Sequence, residues 1–247
     1  MQNQASWMPS KFVYRRGRLV ASRDTRDVGI ASRLSVDVIA GNYERHLPAH
    51  AMGRLLDLGC GKVPLYATYK SLVTDCTCVD WSNTAHKNQY LDRECDLTQS
   101  LPFADGEFDT ILLSDVLEHI PTPEKLCMEM ARSLSDGGKL ILNVPFFYWL
   151  HEEPHDYYRY TEFALRRFIE LAGLDLVLFE STGGTPEVLA DILAKGLVHV
   201  PIVGRMLATA LQSMTLWFVG TRLGGKVSRA TSRKFPFGYF LVAVKRR

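Results

Sequence analysis

Short apolar runs alternate with helical patterns between residues 54 and 180, and this alternation constrains the fold more than any other feature of the chain. The first run, residues 55–58, ends in a turn made of Gly59, Cys60 and Gly61. Helical spacing of apolar residues follows from Pro123 to Leu134, stopped by Gly137 and Gly138, and from Thr161 to Gly173. The remaining apolar runs, each typical of a buried strand, are residues 77–80, 108–114, 139–144 and 176–180. Strands separated by helices predict an α/β doubly wound sheet with parallel pairing.

Composition is compatible with such a fold and excludes several others. The 247 residues are 47% hydrophobic and 23% charged, which allows a full core and excludes collagen-like, disulfide-scaffold and disordered chains. The five cysteines are odd in number and scattered, so we expect a reducing, cytoplasmic location and no disulfide framework. Cys76 and Cys78 are expected to pack as small apolar residues of a strand, with no metal site. The first ten residues have no apolar core behind a basic start, so no signal peptide is expected.

The small net charge of +2 conceals a strong division along the chain. Residues 1–50 carry eight Lys or Arg against four acids, residues 192–247 carry ten against none, and residues 51–191 have a net charge of −12. Basic ends around an acidic middle are explained equally well by contact with an anionic partner and by self-neutralising packing.

The segments outside the alternating region have patterns of their own. A helix is predicted from Ser32 to a break at Pro48 and Gly53. The pattern of residues 186–223 predicts two amphipathic helices separated by Pro201 and Gly204. Polar residues interrupt their apolar stretches, which are therefore too short to cross a membrane. The basic, Gly- and Ser-containing residues 222–234 are expected to form a flexible loop, and residues 237–244 a final strand.

Glycines and carboxylates follow the predicted strands where a ligand of an open α/β sheet would bind. Gly59 and Gly61 allow a backbone to approach a ligand closely. Asp80 ends the second strand, and a carboxylate there can accept hydrogen bonds from both hydroxyls of a ribose. Asp96 follows a short polar stretch and suits an adenine amino group. Together they indicate a nucleoside cofactor.

These residues, in this order, resemble the motifs of class I S-adenosylmethionine-dependent methyltransferases. Residues 151–161 resemble, more loosely, a stretch of bacterial methyltransferases encoded with polysaccharide or other cell-surface biosynthesis enzymes. The likeness covers residues 53–183 and the final strand, and includes the segments 55–61, 114–120 and 135–140. It implies a seven-stranded sheet whose last strand is antiparallel and lies between the fifth and sixth. One departure is Val63-Pro64, where the family often has a third glycine.

The resemblance also implies roles for the matched positions in binding S-adenosylmethionine. The glycine turn would lie alongside the methionine moiety, and Ser114 would lie beneath the sulfonium. Asp80 would bind the ribose, and Trp81 would lie against the adenine. Arg33 is a candidate partner of the cofactor carboxylate. The full set implied for the cofactor is Asp57, Gly59, Cys60, Gly61, Asp80, Trp81, Asp96, Leu97, Ser114 and Arg33.

The connection after the strand at 139–144 is rich in groups that could act on an acceptor. His155 is the first candidate for a general base, followed by His151 and by His119 after the strand at 108–114. Tyr158 and Arg159 are candidate acceptor-binding residues, Arg159 as an anion clamp. The competing interpretation is that the tyrosines pack and that Thr161 caps a helix.

We therefore predict an N-terminal extension or cofactor cap over residues 1–52 and a methyltransferase domain over 53–247, with a helical insertion at 186–223. The predicted activity is methyl transfer to a small-molecule or saccharide acceptor, including lipid-linked saccharides. A nucleic-acid methyltransferase and a non-catalytic binding module remain alternatives, whereas Pro64 argues against a nicotinamide oxidoreductase. Residues 186–234 would form an acceptor pocket, a peripheral contact with the inner face of the membrane, a packed cap or a homodimer interface.

Overall fold

Strands and helices alternate along the described part of the chain, which comprises residues 1–81 and 88–246 of a computed structural model. The strands are β1 (Phe12–Arg15), β2 (Arg18–Ala21), β3 (Arg54–Leu58), β4 (Asp75–Asp80), β5 (Arg93–Glu94), β6 (Phe108–Ser114), β7 (Leu134–Pro145), β8 (Leu174–Thr182) and β9 (Gly238–Lys245). The α-helices are α1 (Arg33–His50), α2 (Tyr66–Tyr69), α3 (Pro123–Ser133), α4 (Glu162–Leu171), α5 (Thr185–Leu197), α6 (Gly204–Gly220) and α7 (Arg222–Ser232).

Seven of the strands form one mixed sheet in the order β5-β4-β3-β6-β7-β9-β8. Strands β3 to β7 pair in parallel, and β9 runs antiparallel between β7 and β8. The predicted fold class is therefore confirmed, including the antiparallel last strand between the fifth and the sixth. The order of strands along the sheet reverses between β3 and β6, so their carboxyl ends open a crevice of the kind in which α/β proteins bind ligands.

Buried residues cover both faces of this sheet. On one face Leu56 and Leu58 of β3 pack with apolar residues of α3 and α4. On the other face Leu55 and Cys78 pack with α1, α2 and the β1–β2 hairpin. Cys76 and Cys78 are both buried on this second face, as the period of two in a strand predicts.

Two predicted boundaries of secondary structure are wrong. Helix α1 continues through Pro48 to His50, since a proline in the last turn removes only one hydrogen bond. Helix α3 ends at Ser133, before the glycines, because Leu134 already pairs with Phe108 and Gly137 and Gly138 lie in a bulge of β7. The N-terminal segment before α1 contains the hairpin β1–β2.

Residues 222–234, which were expected to form a flexible loop, instead contain helix α7. Thr221 caps this helix by accepting a hydrogen bond from Gly224 N at 3.0 Å. A Cβ on Gly224 would lie 2.0 Å from the Phe218 carbonyl oxygen, and Ser228 is buried. The small residues therefore allow close helix packing, and the helical insertion extends to Ser232.

Helices α5 and α6 are present as predicted, but the faces that they bury are unusual. Their buried residues are mostly small or polar, including Gln212, whose side chain accepts from Leu34 N and donates to the Ile30 carbonyl, both at 2.8 Å. Large apolar side chains on the same helices are exposed. No helix among the described residues combines the length and apolarity needed to cross a bilayer.

Candidate functional site

The turn after β3 has a backbone that only glycine accommodates without strain. Gly59 and Gly61 both have positive φ, +66° and +49°. A Cβ on Gly59 would lie 2.6 Å from a methyl carbon of Val116, whereas a Cβ on Gly61 would meet no atom of the described residues within 4 Å. Gly59 N and Cys60 N donate to the carbonyl of Val79, which holds the turn against the end of β4. The turn thus packs closely on one side and faces open space at Gly61.

Asp57 lies inside the sheet and beneath this turn. It is buried, and its carboxylate accepts a hydrogen bond from the Tyr69 hydroxyl at 2.9 Å. Burial raises its pKa to about 7, although the bond from Tyr69 acts in the opposite direction. The position is consistent with a role in ordering the turn, and Tyr69 is a partner that the sequence did not indicate.

Asp80 lies at the end of β4, beside the open part of the turn. Its Oδ2 accepts from Gly61 N at 2.8 Å and its Oδ1 from Trp81 N at 2.7 Å. These two bonds fix the orientation of the carboxylate group. The Trp81 ring is partly exposed and lies edge-on to His155, with centroids 5.1 Å apart.

The other predicted cofactor residues are held by local contacts. Exposed Asp96 accepts from the backbone N and the hydroxyl of Thr98, at 2.9 and 2.8 Å, and Leu97 is buried. Ser114 ends β6 and its Oγ accepts from the Tyr43 hydroxyl at 2.5 Å. Cys60 is buried within the turn. Helix α1 therefore reaches the carboxyl end of β6 through Tyr43, which sequence reasoning treated only as an apolar helix position.

Arg33 lies at the start of α1 and has a local partner. Its guanidinium donates to the carbonyl of Arg23 at 2.7 Å, and burial together with the charge of Arg23 lowers its pKa. This contact ties α1 to the segment that follows β2. The pairing of Arg33 with the cofactor carboxylate stays a prediction.

The segments after β6 and β7 are joined by backbone hydrogen bonds and bring acidic and histidine side chains together. The Glu118 carbonyl accepts from the backbone N atoms of Tyr157 and Tyr158. The Glu118 carboxyl group is fully buried and lies 3.8 Å from His119 Nε2 and 3.9 Å from His151 Nε2. Burial, and next the charge of Asp115, raises the pKa of Glu118 well above its ordinary value. Glu118 is the common neighbour of His119 and His151. Its role was missed because His151 is distant from it along the chain.

Of the three candidate bases, His155 lies nearest to the cofactor residues. Its ring contacts Trp81, and its Nδ1 lies 3.3 Å from the Tyr157 hydroxyl. His119 and His151 instead face Glu118. The structure thus separates one histidine beside Trp81 from a pair beside a buried carboxyl group.

The two predicted acceptor-binding residues have different surroundings. Tyr158 is partly exposed, stacks on Tyr160 and donates from its hydroxyl to the Pro121 carbonyl at 3.0 Å. All five N–H groups of Arg159 are taken: two donate to the carboxylate of Asp156 at 2.6 and 2.7 Å, and the others to backbone carbonyls. This geometry favours a loop-ordering role for Arg159 over the predicted anion clamp.

A partly buried ion pair that sequence reasoning missed lies beside this cluster. Lys11 donates to Asp115 at 2.7 Å, and Asp115 also accepts from Asn143 at 2.6 Å. Burial lowers the pKa of Lys11, but the carboxylate of Asp115 outweighs it and the pKa is raised. The N-terminal segment therefore contributes a charge at the carboxyl ends of β6 and β7, a placement that the sequence pattern could not reveal.

The central part of the chain matches a known domain family. Residues 56–142 match the family model described as a methyltransferase domain. Residues 56–142 thus belong to a methyltransferase domain. The match includes the glycine turn, Asp80 and the segment after β6, so the family predicted from these motifs is confirmed for this domain.

Sequence relatives of this methyltransferase domain match over short stretches. An uncharacterized methyltransferase of Mycobacterium sp. (strain JLS) is 47% identical over 51 residues, which are 21% of this chain and 19% of that protein. The chain thus matches only about a fifth of the length of this curated relative.

Solved structures resemble the methyltransferase domain and its surroundings over most of the chain. One contains the Haloferax volcanii Trm112 methyltransferase activator in complex with a methyltransferase: TM-score 0.57, 21% identity, 91% of this chain and 95% of that one. The [4+2]-cyclase SpnF has a TM-score of 0.55 at 15% identity, covering 97% and 87%. Haemonchus contortus phosphoethanolamine N-methyltransferase 2 in complex with S-adenosyl-L-methionine has a TM-score of 0.53 at 17% identity, covering 91% and 59%. At these identities the likeness shows the fold.

Proposed function

We propose that this protein transfers the methyl group of S-adenosylmethionine to a small-molecule or saccharide acceptor. The observation that carries the proposal is the left-handed turn at Gly59 and Gly61 beside the oriented carboxylate of Asp80, at the reversal of strand order in a methyltransferase domain. The open space at Gly61 is a place where a ligand can approach the backbone.

The cofactor would be held by groups that the fold already orients. Asp80 is oriented by the backbone N–H groups of Gly61 and Trp81, and a carboxylate at this position suits the two ribose hydroxyls. Trp81 offers an apolar surface beside it. Ser114, held by Tyr43, lies at the end of the adjacent strand β6. When bound, S-adenosylmethionine supplies an activated methyl group on a cationic sulfur. The chain's own task is to bind and align the reactants.

His155 is the proposed general base. Its position against Trp81 places an imidazole beside the proposed cofactor, where it would take a proton from an acceptor hydroxyl. The acceptor's lone pair would then be free to take the methyl group, while the carbon–sulfur bond breaks and its electrons stay on sulfur. The partly exposed Tyr157 and Tyr158 border this place and are the proposed contacts of the acceptor.

The cofactor assignment is tested by Asp80→Ala, measured by calorimetric titration with S-adenosylmethionine. We expect affinity to fall by at least about tenfold, since each hydrogen bond to a charged group contributes about 1.5–3 kcal/mol. Asp75→Ala, an exposed carboxylate at the other end of β4, is the matched control and should bind like the wild type. Equal affinity of the Asp80 variant and the wild type would contradict the assignment.

We further propose that the helical insertion places the protein on an anionic membrane surface, which would bring a lipid-linked acceptor to the site. The exposed apolar side chains of α5 and α6 and their connection include Leu193, Ile202, Met206 and Trp217. The exposed cations on the same segment are Arg205, Arg222, Lys226, Arg229, Arg233 and Lys234. Because residues 192–247 contain no acid, this surface is complementary to anionic head groups.

A further inference from the structure

A group of three potential metal ligands lies between the segments that follow β6 and β7. Glu118 and His119 belong to a single 3₁₀ turn, Leu117–His119, and His151 comes from the connection after β7. One ligand atom from each residue lies within 4.8 Å of the other two. Oε1 of Glu118 is the common point, 3.8 Å from Nε2 of His119 and 3.9 Å from Nε2 of His151.

Glu118 has no hydrogen-bond partner within the described residues for either carboxyl oxygen. Its side chain is fully buried. Buried polar groups are nearly always hydrogen-bonded, and a buried carboxyl group without a partner is costly. The two cations nearby are engaged elsewhere, Lys11 with Asp115 and Arg159 with Asp156. The buried oxygens of Glu118 therefore face a place where a positive charge would stabilise them.

The two histidines present the correct ring atom to that place. Nδ1 of His119 lies 3.1 Å from the His155 carbonyl oxygen and must donate to it, which leaves the lone pair on Nε2. Nε2 of His119 is itself buried and without a hydrogen-bond partner among the described residues. Nδ1 of His151 lies 3.3 Å from the carboxylate of Asp156. A histidine that ligates a metal usually donates its other ring N–H to a carbonyl or carboxylate in this way.

We infer that Glu118, His119 and His151 bind a divalent first-row transition-metal ion. Two imidazoles and one carboxylate suit Zn²⁺ or Mn²⁺. Three protein ligands leave the fourth position of a tetrahedral ion open, as in zinc sites that admit water. Ligand atoms about 2.1 Å from a tetrahedral ion are about 3.4 Å apart, so the two distances from Glu118 Oε1, 3.8 and 3.9 Å, would contract by about 0.5 Å on binding. The two histidine ligand atoms, which lie within 4.8 Å of each other, would move together by more than that. The carboxylate of Glu152 lies 3.8 Å from His119 Nε2 and can reach the open position.

The inference is independent of the proposed methyl transfer, because it concerns metal binding in the absence of cofactor and acceptor. Failure to bind a metal would leave the cofactor site at Asp80 untouched. Conversely, loss of S-adenosylmethionine binding in Asp80→Ala would not affect the metal site.

Calorimetric titration of the full-length, chelator-treated protein with ZnCl₂ and MnCl₂ tests it. We expect one saturable site per chain, with weaker binding of MgCl₂ because imidazole ligands disfavour that ion. Glu118→Gln keeps the shape of the side chain and should lower affinity at least about tenfold, as should His151→Gln. His199→Gln, an exposed histidine on the insertion, is the matched control and should keep wild-type affinity.

Thermal unfolding provides a second measurement that does not depend on calorimetric heats. The metal should raise the Tm of the wild type and of His199→Gln, and leave that of Glu118→Gln unchanged. Circular dichroism of the metal-free variants checks that they fold. The inference is overturned if the folded Glu118→Gln protein binds Zn²⁺ and Mn²⁺ as the wild type does, or if the wild type shows no saturable site for either ion.

Discussion

Asp57 shows how one buried group can make the stability of this fold depend on pH. Its carboxyl group lies under the glycine turn, with the Tyr69 hydroxyl as hydrogen-bond donor. Burial raises its folded-state pKa to about 7 from an ordinary value of 3.8. The folded protein therefore binds more protons than the unfolded chain between these values, and stability falls as pH rises through them.

Replacing Asp57 by Asn should remove this contribution. From pH 4 to pH 7.5 the free energy of unfolding of the wild type should fall relative to that of Asp57→Asn, by up to about 4 kcal/mol at about 1.4 kcal/mol per pKa unit. Urea unfolding at several pH values measures the difference, and Asp75→Asn serves as an exposed control. Parallel pH profiles for the wild type and Asp57→Asn would show that Asp57 keeps an ordinary pKa.

His155 is the residue at which the proposed chemistry can be separated from binding. His155→Ala should lower turnover about 10²- to 10⁴-fold, the usual contribution of a general base, and leave the affinity for S-adenosylmethionine near the wild-type value. Formation of S-adenosylhomocysteine with an acceptor that the wild type methylates gives the rate, and calorimetry gives the affinity. His199→Ala is the control, and wild-type turnover in His155→Ala would exclude this residue as the base.

At the scale of elements, helices α5, α6 and α7 differ from the rest of the fold because many of their large apolar side chains are exposed. Their inner faces are anchored by polar contacts, such as Gln212 with the start of α1 and Ser228 with Glu187 at 2.6 Å. Their outer faces carry the apolar and basic side chains described above. Such a distribution is expected where an apolar surface meets another apolar phase.

Vesicle co-sedimentation tests the proposed membrane contact. The wild type should sediment with anionic vesicles and much less with neutral ones, and salt should weaken binding because each Lys or Arg contributes about 1 kcal/mol near an anionic surface. Replacing Ile202, Met206 and Trp217 together by Ser should abolish sedimentation. Phe163→Ser, an exposed apolar residue on α4, is the control. A wild type that stays in the supernatant and dimerises through this face would instead identify a second copy as the occupant.

On the scale of the whole molecule, the N-terminal segment is joined to the sheet through helix α1. Tyr43 packs edge-on against Phe12 of the hairpin and Phe240 of β9, and its hydroxyl reaches Ser114. Lys11 extends the same connection to Asp115. The residues before the methyltransferase domain thus contribute directly to the edge of the sheet at which the candidate site lies.

The amino-acid sequence alone determined the sheet, its strand order by resemblance, and the glycine turn with Asp80. These features depend on local periodicity and on residues close to one another along the chain, such as positive φ at Gly59. It misjudged residues 222–234, because small residues at a helix contact have the same composition as a flexible loop.

Only the tertiary structure decided which distant groups meet. Glu118 and His119 approach His151 because the carboxyl ends of β6 and β7 are neighbours in the sheet. Arg159 is taken up by Asp156 and backbone carbonyls, and the apolar sides of α5 and α6 face outwards. A side chain's partners and burial depend on what packs against it, and periodicity records only that a helix has two unlike faces.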